Sequence, residues 1–292
     1  MRVPSAGVHL DAVQGRAFVC SGASRAARTV SAAGEKQVKA TTTVAGSATP
    51  VRAGHVCYDA GMALLLVPGF MADDTLWDDV VPGLARFGPV VHADLRHDTS
   101  VEAMARRVLE TAPESFLLVG FSMGGYVARA IARQAPDRVR ALVLVATSTR
   151  GDTAALQKRK GAIGNAAPTI AFSGLSRTAV ATSLHPKHRD NDALIERVRA
   201  MGTRLGGDVF RRQSLLDRPG DLERSGEIRC PTLVVAAAQD QLRSLAEARE
   251  MADAIPGATL AVIEDSGHMI PIEAPQRLLD VIVPWLAAHA DA

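Results

Sequence analysis

Aromatic side chains are scarce: Phe, Tyr and Trp make up 4% of the 292 residues. So few flat rings leave little on which unpaired bases could stack. Nor is there an excess of basic charge, since 33 Lys and Arg face 31 Asp and Glu. Seven of the basic and two of the acidic residues lie in 1–55, leaving 26 and 29 for the rest. The body of the chain is therefore mildly acidic and offers a polyanion no basic surface. Nucleic acid is excluded as a partner on both counts. Long apolar runs are also missing; the longest strand candidate, Ala63 to Val67, is far short of the ~18 residues a membrane-spanning helix needs. No membrane partner is expected. Cysteine is rare, with Cys20, Cys57 and Cys230 in spacings that fit no metal site, and the odd count argues against a disulfide framework. Cys230, directly before Pro231, reads as a buried thiol, and a reducing cytoplasm suits the chain best.

What is abundant is apolar residue content, 47%, enough for one sizeable core. It is unevenly placed. Residues 1–55 are rich in Ala, Ser, Thr, Gly and Arg and show neither a 2-residue nor a 3.6-residue period, so they bury too little to offset their ordering entropy. A disordered extension is expected there; a transit-peptide-like leader and a start at Met62 are the alternatives. His55-Val56-Cys57-Tyr58 is a weaker candidate for an edge strand.

From residue 62 onward short apolar runs alternate with helical patterns. Strands buried on both faces are expected at Ala63–Val67, Pro89–Ala93, Phe116–Gly120, Ala141–Val145, Thr232–Ala237 and Leu260–Ile263. Helices are expected at Val101–Thr111, Met123–Ala135, Leu242–Ile255 and Gln276–Ala288, the last distorted by Pro284. This alternation gives an α/β fold with a mostly parallel, doubly wound sheet. More than eighty residues separate the fourth and fifth strands, too many for a bare loop. Helical stretches at Asp192–Met201 and Asp208–Leu216 mark a small helical cap over the strand ends. The division expected is 56–150 and 229–292 for the core and 151–228 for the cap.

One motif carries chemistry. Gly120-Phe121-Ser122-Met123-Gly124 follows a strand and opens a helix. A residue on so sharp a turn is strained, and side chains two positions before and after it would collide, which the two glycines avoid. The helix N-terminus favours negative charge developing at Ser122. A serine needs a base, and the base an orienting carboxylate, in the chain order serine, acid, histidine. Gly267-His268 follows the last strand, whereas His92 reads as mid-strand, His97 precedes the serine, and His185 and His188 sit in the cap. Asp240 follows the fifth strand at the same sheet edge; Asp265, three residues from His268, is the competing acid. Oxyanion donors are expected from the N–H of Met123 and, after the first strand, the N–H of Phe70.

Leu64-Leu65-Leu66-Val67-Pro68-Gly69-Phe70, Gly120 to Gly125, Pro231 to Asp240 and Gly267-His268 together resemble the α/β-hydrolase superfamily, in the branch of small bacterial esterases, enol-lactonases and C–C-bond hydrolases. The resemblance covers about residues 60–288. It implies Ser122, Asp240 and His268 as a catalytic triad, Phe70 and Met123 as the oxyanion hole, and neither metal nor organic cofactor. It implies a small-molecule substrate, a small or medium ester or lactone. C–C hydrolysis, cofactor-free perhydrolysis and ligand sensing are alternatives on the same pocket, and a homodimer is left open. The chain departs from the usual pattern in having Pro68-Gly69 in place of His-Gly, and Ala236-Ala237-Ala238 where a glycine is common.

Overall fold

A computed structural model describes residues 62–165 and 172–289. The extension 1–55, the strand candidate at 55–58, Cys20 and Cys57 lie outside the described residues. Six strands form one parallel sheet in the order β2-β1-β3-β4-β5-β6: β1 (Met62–Val67), β2 (Val90–His92), β3 (Ser115–Phe121), β4 (Val139–Val145), β5 (Thr232–Ala237) and β6 (Thr259–Ile263). All six strand expectations fall on an observed strand. The four central strands are buried almost throughout, as their unbroken Leu and Val runs require. Burial on both faces fails at the edges. Among the described residues β2 and β6 are the outer strands of the sheet, and they keep several exposed or half-buried positions. His92 is accordingly exposed, as the last residue of β2.

Among the described residues nine α-helical segments accompany the sheet. The turn α1 (Val81–Leu84) precedes β2, and α2 (Val101–Thr111) starts at Ser100, whose hydroxyl accepts from Ala103 N–H at 3.2 Å. The helix α3 (Met123–Gln134) is buried on nearly every side and ends before Pro136. Between β4 and β5 come α4 (Ala154–Asn165), α5 (Arg177–Ser183) and α6 (Asp192–Leu215). The two helical stretches read in the sequence over 192–216 meet in α6, which is broken at Gly206, where φ is 82°. Near the C-terminus lie α7 (Leu245–Ala254), α8 (Ile270–Glu273) and α9 (Pro275–His289). α9 contains Pro284 yet remains one element, with Leu278, Ile282 and Leu286 buried. Helices cover both faces, one apolar cluster including Leu64, Leu117, Val143 and Leu278 and the other Leu65, Leu118, Leu142 and Ile131. The insert is fastened to the core by a buried ion pair. Arg129 of α3, fully buried, donates to both oxygens of Asp221 at 2.7 and 3.0 Å, and Arg133 adds a third bond at 2.9 Å. Because all strands run parallel, the loops after β1, β3, β5 and β6 meet at one edge.

Candidate active site

Ser122 stands between β3 and α3 with φ 52° and ψ −114°, a conformation that costs a non-glycine residue about 1–3 kcal/mol. Its surroundings hold it there. Ser122 N–H donates to Val145 O at 2.9 Å, and its carbonyl accepts from Thr147 Oγ1 at 2.7 Å. The glycine expectation has a direct steric basis. A Cβ on Gly120 would lie 2.6 Å from the Ala128 Cβ, and one on Gly124 would collide with the carbonyl oxygens of Val67 and Pro68.

The structure brings the three sequence-predicted side chains together. His268 Nε2 lies 2.8 Å from Ser122 Oγ, and His268 Nδ1 lies 2.7 Å from Asp240 Oδ2. The imidazole is 6% exposed and the Asp240 carboxylate 1%, so the chain of contacts runs from the cavity wall inward. Asp240 does not cap α7; Ser244 does, in a reciprocal capping box with Glu247. Asp240 instead turns inward, and its Oδ1 accepts from the N–H groups of Leu242 and Arg243 at 2.7 and 2.9 Å. Both carboxylate oxygens are thereby held, which fixes the rotamer facing the histidine. Asp265, the rival acid, is exposed and faces Arg277 at 3.4 Å.

Several supporting residues were not singled out in the sequence. Gln239 pairs reciprocally with Ser266, its N–H donating to Ser266 O and its Oε1 accepting from Ser266 N–H, each at 3.2 Å. This ties the acid loop to the histidine loop. His268 N–H donates to Ser183 O at 2.8 Å, at the end of α5. Glu273, whose carboxylate is fully buried, accepts from Gly267 N–H at 3.1 Å and from His185 N–H at 2.6 Å, and lies 3.0 Å from His188 Nδ1. The catalytic-loop candidate and the insert therefore share one carboxylate. An acid five residues after Gly-His was the available signal, but spacing alone does not show that it points back.

Ser122 and His268 open onto a cavity of about 550 Å³. Its wall is mainly apolar, with Phe70, Phe121, Val198, Met201, Phe210 and Met269 among the lining residues. Much of it comes from α5 and α6 of the insert. Phe70 and Met123 are both beside the serine. A Cβ on Gly69 would lie 3.3 Å from the Ser122 Cβ, and Met123 is the first residue of α3. The loop at Phe70 is anchored by its next residue, since Met71 N–H donates to Gln213 Oε1 at 2.9 Å. Pro68 contributes its carbonyl to the contact with Gly124. Among the described residues, no cluster of His, Cys, Asp and Glu is arranged to hold a metal ion, and no helix is long and apolar enough to cross a membrane.

Known proteins share this frame. The family model for the α/β hydrolase fold matches residues 67–275. A dihydrolipoyllysine-residue acetyltransferase component of the acetoin cleaving system from Pseudomonas putida is 28% identical over 251 residues, 79% of this chain and 65% of that protein. A pimeloyl-[acyl-carrier protein] methyl ester esterase from Klebsiella pneumoniae is 40% identical over 93 residues, 29% of this chain and 36% of that enzyme. The chain thus spans under two thirds of these curated relatives. Among solved structures, a thermophilic esterase from Thermogutta terrifontis superposes with a TM-score of 0.67 at 28% identity, covering 78% of this chain and 91% of that one. With a parallel six-stranded sheet, a strained serine between strand and helix, and a match over residues 67–275, the chain belongs to the α/β hydrolase fold family.

Proposed function

We propose that this protein is a serine hydrolase that cleaves a small or medium carboxylic ester or lactone through an acyl-enzyme on Ser122. The observation that carries the reading is one imidazole within 2.8 Å of a hydroxyl and 2.7 Å of a buried carboxylate. With Asp240 accepting the Nδ1–H, Nε2 of His268 is left as the acceptor for the Ser122 proton. As Ser122 Oγ bonds to the carbonyl carbon, His268 takes that proton, and the N–H groups of Met123 and Phe70 hold the oxyanion. His268 then gives the proton to the departing alkoxide. Water, deprotonated by the same nitrogen, attacks the acyl-enzyme, and the acid leaves with Ser122 restored. The apolar cavity suits the acyl or alkyl part of such a substrate. Esterases among the relatives support the choice of bond.

Ser122→Ala should lower kcat on 4-nitrophenyl acetate by a factor on the order of 10⁶ with the fold intact by circular dichroism. Fluorophosphonate labelling, mapped by peptide mass, should find Ser122 in the unmodified protein. Residual turnover in the alanine variant, or label on another residue, would refute the assignment.

A further inference from the structure

The cavity wall is charged in one sense only. Its ionisable lining residues besides His268 are Lys160, Arg218 and Arg243, and no Asp or Glu lines it among the described residues. Lys160 and Arg218 share one counter-ion. Asp152, 5% exposed, accepts from Arg218 at 3.0 Å and also from the Lys160 ammonium, so this trio keeps one net positive charge. Arg243 has no carboxylate partner among the described residues; its guanidinium sits 5.9 Å from the Tyr126 ring. All three cations line the cavity onto which Ser122 and His268 open. Tyr126 Oη donates to Arg150 O at 2.7 Å, and Arg150 is two residues from Asp152. Tyr126 is also one turn along α3 from Ser122, about 6 Å of helix axis.

A half-buried guanidinium that shares a largely apolar cavity with the reacting serine, and has no carboxylate partner among the described residues, is available to pair with an incoming anion. Low-dielectric walls bearing one sign of charge also concentrate oppositely charged solutes. We infer that the natural substrate carries a carboxylate, separated by a short methylene chain from the scissile ester, and that Arg243 binds it as a two-bond guanidinium–carboxylate pair while Lys160 and Arg218 add attraction at longer range. One unpaired guanidinium matches a single carboxylate in charge and geometry. The inference rests on the serine-hydrolase reading above, because it specifies what that hydrolase accepts.

The test compares methyl hydrogen adipate with methyl adipamate, its neutral amide analogue of the same length, by pH-stat at neutral pH. Water cleaves either ester to methanol and the corresponding acid. The half-ester acid should show a kcat/KM at least ~10-fold higher than the amide, and that ratio should fall as salt screens the pocket. In Arg243→Gln the ratio should collapse toward unity. Because a ratio is read, any general effect on the fold or on the Asp240 loop cancels. A ratio at or below unity in the unmodified enzyme, or one indifferent to salt and to Arg243→Gln, overturns the inference. So does failure to cleave the half-ester while 4-nitrophenyl acetate is still turned over, and in that case the hydrolase reading survives. Silence toward 4-nitrophenyl acetate as well sinks both.

Discussion

At the scale of single residues, the environment decides which groups can react. Ser122 has a neighbouring base; Cys230 has none among the described residues, and burial pushes its thiol up to about 11. The sign follows from the neutral form being the one the fold favours. The contribution of the neutral thiol to stability is complete below the ordinary cysteine value of about 9 and fades as pH rises from there toward 11. Native protein at pH 8 should therefore leave Cys230 unmodified by iodoacetamide, and denatured protein should label it fully, as read by peptide mass. Prompt labelling in the native state would mean the site opens. Much at this scale was legible in the sequence, because Ser122 with its flanking glycines and the order serine, Asp240, His268 are strong local signals. The role of Glu273 was not, since a buried carboxylate that bridges Gly267 and His185 is defined by partners 6 and 88 positions away.

Among elements, strand positions were readable because buried parallel strands are unbroken apolar runs. Their edges were harder. The pattern of β6 resembles that of the inner strands, and only its place at the rim exposes Val262. The start of α7 was missed by three residues, since Asp240 looks like a cap and the capping box at Ser244 lies just beyond it. The attachment of the insert to α3 is likewise a long-range matter. Arg129 is fully buried, and Asp221 is its carboxylate partner. Removing that partner leaves a guanidinium stranded in the interior, so Asp221→Ala should cost about 3–5 kcal/mol in urea unfolding. A loss below about 1 kcal/mol would show that the pair does not hold these elements together.

Across the whole molecule, the site depends on segments that the chain keeps far apart. The fold class was legible from alternation alone, and so was the presence of helices between β4 and β5. How those helices touch the histidine loop was not, because no local pattern records it. Glu273→Ala would strand two N–H donors, on Gly267 and His185, and loosen the loop that carries His268. Small displacements at a reacting centre cost about 10²-fold, so kcat should fall by that order with KM changed much less, and Glu273→Gln should recover part of the loss. Equal damage to KM, or no recovery with glutamine, would assign the residue to general folding. Ser183, whose carbonyl accepts from the His268 backbone N–H, belongs to the same linkage. On the proposed function, turnover becomes a gauge of whether the insert is seated: a protease nick or a bulky label among the helices between β4 and β5 would silence the reaction while leaving every reacting atom chemically untouched.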